Sequence, residues 1–233
     1  MNILALEASS GVASAALICD DVLVGEIIIN HKKTHSQTLM PIVNQLLNST
    51  EISIDDIDAF AITVGPGSFT GLRIGLATAK GLAHACKKPL IGVSTLEAMS
   101  YNLPHCSDLI VPILDARRDQ VYAAIYYWEN NCLKTHTQPC ALSVDELIDI
   151  IKKEGRKAIF IGDATIRFGD KLKNDLDNLC EFSFANSNMQ RASSVGALAK
   201  RKIEEGYVSS YEDVLPVYLR KSQAEREYDE KQK

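Results

Sequence analysis

The residues nearest to chemistry are Gly65-Pro66-Gly67-Ser68-Phe69-Thr70-Gly71-Leu72-Arg73-Ile74-Gly75. Gly65 and Gly67 flank a proline, which suits a sharp strand-to-helix turn. Ser68 or Thr70 can cap the helix that follows. A helix start presents free N–H groups and a positive dipole end, so Gly67 and Ser68 can meet a phosphate. A purely structural turn is the alternative. The segment lacks the Gly-Lys-Ser/Thr end of a Walker loop, and Gly71 comes one place late for Gly-x-Gly-x-x-Gly. A second small-residue loop, Ala8-Ser9-Ser10-Gly11, is phosphate-compatible through Ser9 and Ser10.

Past the turn, Gly71, Gly75, Ala79 and Ala83 recur every four residues and form one stripe of a helix. A glycine inside a helix costs about 1 kcal/mol against alanine. Close approach of another backbone is the usual reason to accept it. That backbone belongs either to this chain's own sheet or to another subunit.

Other chemistry is thinner. His31 and His35 have metal-ligand spacing, but His31 follows a strand and His35 starts a helix. No Asp or Glu lies between Asn30 and Thr50 to complete a site, so no metal is expected. Asp115 and Asp163 end strands and can face a cleft. Arg117 and Arg118 carry forks suited to a carboxylate or phosphate, hence to an anion or a partner. No Gly-x-Ser-x-Gly elbow or Cys/His pairing is legible, and no residue is assigned a catalytic role.

The 233 residues, 46% of them hydrophobic, suffice for one large domain or two small ones. Cys19, Cys86, Cys106, Cys132, Cys140 and Cys180 are too dispersed for a zinc site and read as reduced thiols. No apolar run is long enough for a bilayer, and Met1–Glu7 does not resemble a signal peptide; a cytoplasmic chain and no membrane partner are expected. A net charge of -5 argues against this chain being the main grip on a nucleic acid.

These residues need elements to hold them. Ile3–Glu7, Ala13–Ile18 and Val22–Ile29 read as an antiparallel meander. Leu39, Ile42, Val43, Leu46 and Leu47 mark a helix, with Pro41 at a late start or a kink. Asp58–Val64 is a strand, Thr70 to about Cys86 a long helix, Leu90–Val93 a strand and Thr95–Tyr101 a short helix. A second unit begins near Leu109, with strands Leu109–Asp115, Gln120–Trp128 and Ala158–Ile161. Its helices run from Ser143 through Ile151, over Thr165–Leu172 and over Ser194–Glu205. Ser222–Lys233 is a charged tail, and no internal repeat is visible.

Five segments in order carry a resemblance: Ile3–Ser10, His35–Pro41, Gly65–Gly75 with Ala79–Ala83, Asp115–Arg118, and Pro216-Val217-Tyr218-Leu219-Arg220. Together they are similar to the TsaB (YeaZ) family over nearly the whole chain. The resemblance implies an α/β fold of the actin-like ATPase (ASKHA, RNase H-like) class, with two subdomains and mixed sheets flanked by helices. The expected subdomains are 1–105 and 106–221, with late helices packing back on the first. It also implies a subunit of the machinery that places threonylcarbamoyl on adenosine 37 of tRNAs reading codons that begin with A. The chain would pair with and activate the catalytic paralogue TsaD, with TsaE, and would meet tRNA only through that complex. A homodimer is expected when it is alone.

The partner helices map to about His35–Asn48 and Thr70–Cys86, with Leu39, Val43, Leu46, Gly71, Leu72, Gly75, Leu76, Ala79 and Ala83 as interface residues. A charged side chain at Ala79 would then break the pairing and spare the fold. The family's first strand usually ends in Asp near the nucleotide phosphates of related ATPases, and here the residue is Glu7. No intrinsic cofactor is implied; ATP or ADP is expected only in the complex. A stand-alone ATPase or kinase is the other reading.

Overall fold

The computed structural model describes residues 1–31 and 34–220, so the expected tail lies outside the described residues. β1 (Asn2–Glu7) and β2 (Val12–Cys19) are buried on both faces, which explains their near-continuous apolar sequences. β3 (Val22–Asn30) lies at the sheet edge and is half exposed. α1 (His35–Thr50) turns Thr38, Leu39, Ile42, Val43 and Leu46 inward and carries Pro41 in its interior, where one ladder N–H is lost. β4 (Ala59–Gly65), α2 (Phe69–Cys86), β5 (Leu90–Ser94) and α3 (Thr95–Ser100) complete the first unit. Its sheet runs β3-β2-β1-β4-β5, antiparallel in the meander and parallel from β1 onward.

The second unit repeats that plan. β6 (Leu109–Asp115), β7 (Gln120–Glu129) and β8 (Cys132–Ser143) form a meander. α4 (Val144–Glu154), β9 (Ala158–Ile161), α5 (Ala164–Leu176), β10 (Cys180–Phe182) and α6 (Ala192–Glu204) follow. The sheet order is β10-β9-β6-β7-β8. Pairing is again antiparallel in the meander and parallel in β6–β9 and β9–β10. The duplication is in topology and not in sequence. Two of its strands escape sequence reading for physical reasons. β8 is a polar edge strand containing Pro139, whose missing N–H costs little at a sheet edge. β10 has only three residues. The helix starting after Ser143 has the full capping box with Glu146.

The third helix of each unit packs on the other unit. Leu96 and Met99 of α3 join Ile110, Leu114, Tyr126 and Ile161 in one core. Ala192, Val195, Leu198 and Ala199 of α6 pack on Ile3, Ala5, Ala16, Ala61 and Val93 of the first sheet. Within 106–221, α6 packs on the first sheet and the elements β6 to β10 form the second unit. This exchange ties the two halves together through apolar contact.

The stripe of α2 faces inward, which corrects the expected docking face. Leu72, Leu76, Ala79 and Ala83 are buried, as are Gly71 and Gly75. Leu39, Val43 and Leu46 of α1 are buried in the same core. A Cβ on Gly71 would strike the Ala8 carbonyl oxygen, and one on Gly75 would lie 2.9 Å from the Ala8 Cβ. The backbone that demands small residues is this chain's own. An arginine at Ala79, which has no exposed surface, would bury a charge and break the fold rather than an interface.

Gly75→Val should lower unfolding free energy by about 1–3 kcal/mol through overpacking, whereas Ala77→Val, two residues away on the exposed face, should shift it by less than about 0.5 kcal/mol. Urea unfolding of both variants checks this. Equal effects would contradict the seam.

Candidate functional site

The ends of β1, β4, β6 and β9 border an open cleft of about 640 Å³. Ser9, Ser10, Gly67 and Ser68 line it from the first unit, and Asp115, Arg117, Tyr122 and Asp163 from the second. Tyr218 and Arg220 line it from the end of the described chain. The two loops expected to be phosphate-compatible are thus together on one wall.

Several of the donors that would make those loops a cradle already have partners. The Ser9 N–H donates to Glu7 Oε1 at 2.5 Å. The Ser68 N–H donates to the Ser9 carbonyl at 2.6 Å, because Gly67 lets the two backbones touch. The Gly71 N–H donates to Ser68 Oγ at 3.3 Å, the capping bond expected of this turn. Ser10 Oγ accepts from the Val12 N–H at 3.2 Å, and His35 Nε2 lies 2.7 Å from the Ser10 carbonyl. His35 therefore anchors the loop. Among the described residues no group of three His, Cys, Asp or Glu side chains is placed to hold a metal.

Glu7 does not line the cleft. It is 1% exposed, and burial pushes its carboxyl above the usual carboxylate range despite the Ser9 N–H bond. The Ser9 and Thr63 hydroxyls lie against it without closing bonds of normal geometry.

The second wall is acidic and strained. The Asp115 N–H donates to Asp163 Oδ1 at 3.0 Å. Burial pushes the Asp163 carboxyl up as well. Asp115 pairs with Arg167 at 3.3 Å, and Arg167 also reaches Asp119 at 2.6 Å. The guanidinium that reaches both Asp115 and Asp119 is thus that of Arg167 on α5, while the Arg117 backbone N–H donates to Asp115 Oδ1 at 2.7 Å. Arg117, Arg118 and Asp119 all have positive φ, a run that non-glycine residues rarely adopt. It turns Arg117 into the cleft lining, while Arg118 is exposed on the same turn. Sequence reasoning missed Arg167, Tyr122 and the lining role of Tyr218 and Arg220. The last two stood in a quoted motif, Pro216–Arg220, but with no role attached.

A second feature is the outer face of α1 and α2, which pack on each other. α1 contains no Asp, Glu, Lys or Arg. Its exposed residues are Ser36, Gln37, Met40, Pro41, Asn44, Gln45, Asn48 and Ser49. α2 exposes Ala77, Gly81 and Ala85 four residues apart, beside Arg73. A Cβ on Gly81 would meet no described atom within 4 Å, so nothing in this chain's packing requires a glycine there. An exposed helix pair this poor in charge has the composition of an interface core rather than of a solvated surface.

A family model described as TsaD, tRNA N6-adenosine threonylcarbamoyltransferase, matches residues 23–228. The chain is 33% identical over 233 residues to the tRNA threonylcarbamoyladenosine biosynthesis protein TsaB of Bacillus subtilis, covering 100% of both chains. It is 36% identical over 133 residues to TsaB of Escherichia coli, covering 56% of this chain and 57% of that one. A Pseudomonas aeruginosa structure described as similar to the peptidase YeaZ superposes with a TM-score of 0.78 at 24% identity, covering 94% of this chain and 99% of that chain. The ROK hexokinase of Thermus thermophilus does so with 0.51 at 8% identity, covering 88% of this chain and 100% of that chain. The two structures speak for the fold alone: it is the actin-like class that the resemblance implied.

Because burial raises the Glu7 pKa, the folded chain holds this proton more tightly than the unfolded chain. The stabilisation is complete below the unfolded carboxyl range and is lost as pH rises through the raised value. Glu7→Gln should therefore gain thermal stability relative to the native chain as pH moves from about 5 to about 8. Melting temperatures of both proteins across that range test it, and a constant difference would contradict the buried-proton assignment.

Proposed function

This chain belongs to the TsaB family, and on that premise we propose that it is a non-catalytic subunit in tRNA threonylcarbamoyladenosine biosynthesis. It pairs with a TsaD-type paralogue that carries the transferase chemistry, and acts with TsaE. The product is threonylcarbamoyl on adenosine 37 of tRNAs reading codons that begin with A. The tRNA meets the complex mainly through other subunits, in keeping with the net charge of -5.

One observation carries the docking half of this reading: the charge-free outer face of α1 beside Ala77, Gly81 and Ala85 of α2. Gly81 sits in a helix interior with no atom of the described residues within 4 Å of where its Cβ would stand. A facing helix on that stripe would supply the close backbone approach that offsets its cost of about 1 kcal/mol. The docking helices are those expected from sequence, but the residues offered are the opposite set. The same face can pair with its own copy about a two-fold axis when the partner is absent. A role without its own catalysis is supported by the loop N–H groups already engaged on Glu7, the Ser9 carbonyl and Ser68. Nucleotide, on this reading, binds only once the complex is assembled.

Gly81→Arg should weaken heterodimer formation by at least about a hundredfold while leaving the circular dichroism spectrum and melting curve intact. Ala79→Arg should lose both. Threonylcarbamoyl transfer reconstituted with purified TsaD and TsaE should require this chain and fail with the Gly81→Arg variant. A folded Gly81→Arg protein that still co-elutes with TsaD would refute the docking face.

A further inference from the structure

The segment after α6 does more than close the chain. Val214 is its buried anchor, seated against Val64 and Gly92. The residues beyond are poorly covered: Leu215 is 67% exposed and Val217 48%. Yet specific bonds hold them at both sides of the cleft. The Val217 N–H donates to the Val64 carbonyl at 2.7 Å, and the Val217 carbonyl presses on Gly65, where a Cβ would collide with it. The Tyr218 ring stacks on Phe69 of α2 with centroids 4.5 Å apart. Arg73, one helical turn on, lies 3.9 Å over the Phe69 ring and donates from Nε to the Tyr218 hydroxyl at 3.1 Å. Two residues later Arg220 Nη1 donates to the Ala116 carbonyl at 2.7 Å. Ala116 opens the turn whose next three residues all have positive φ.

We infer that Pro216–Arg220 is an interdomain clasp that ties α2 to the Ala116–Gln120 turn across the cleft mouth. The apolar joint between the units is the core of Leu96, Met99, Ile110, Leu114 and Ile161, and of these five only Leu114 reaches the cleft lining. The clasp is the second tie, and the cleft lies between the clasp and the first unit's loops. Little burial and few bonds make it a low-stability element that opens without global unfolding. Its α2 end is held by Arg73, an exposed residue on the same outer edge of α2 as Ala77. A partner seated on α2 therefore immobilises the clasp and, through Arg220, the strained turn. This last step rests on the docking face proposed above; the clasp itself does not.

Hydrogen exchange on the whole chain separates the two. In the free protein, Tyr218→Ala and Arg220→Ala should each raise exchange over Ala116–Val121 about fivefold relative to α4, and the double variant should add nothing. Tyr218→Phe, which keeps the stack, should stay closer to the native chain. Faster exchange confined to Val214–Arg220, or additive effects of the two variants, would overturn the clasp. With a TsaD-type partner added, exchange at Ala116–Val121 should slow in the native chain and not in Arg220→Ala. A heterodimer that forms without slowing the turn would overturn the coupling and leave docking intact. Absence of any heterodimer would strike the docking face, and the free-chain comparison would still decide the clasp.

Discussion

Direct backbone contact between α2 and the end of β1 is the constraint on which the rest of the molecule depends. Gly67 meets the Ser9 carbonyl, Gly71 the Ala8 carbonyl and Gly75 the Ala8 side chain. Three missing side chains let the helix lie on the turn, with no layer of side chains between. That contact fixes the rotation of α2 about its axis. Leu72, Leu76, Ala79 and Ala83 then point into the core, and Ala77, Gly81 and Ala85 point out.

The same contact shapes the cleft. The two loops bond to each other and to Glu7. Glu7 is drawn behind the loop and enclosed, so it is closer in role to a buried hydrogen-bond acceptor than to a metal or phosphate neighbour. On the opposite wall the Asp115–Asp163 pair is balanced by Arg167 from α5. Several of the groups that line the cleft thus already bond to one another.

The two units are joined twice, by different physics. The α3/α6 exchange buries large apolar residues and is the strong joint. The Pro216–Arg220 segment is a light one, made of a ring stack, a cation over a ring and two backbone-directed bonds.

Element order, except for β8 and β10, was legible from residues alone, because meander turns, capping residues and helical spacing are local signals. So was the family, carried by five segments including the glycine turn. The sign of the small-residue stripe was not. Spacing shows that Gly71, Gly75, Ala79 and Ala83 share a face of α2, but which backbone lies against them is a long-range fact. The chain's own Ala8, more than sixty positions away in sequence, settled it. The same holds for α6 crossing to the first sheet and for Arg167 reaching Asp115, neither of which leaves a periodic or neighbouring mark. Sequence determined which residues must be small and where the turns fall; only tertiary packing decided which face of α2 is buried against the chain's own core and which is exposed.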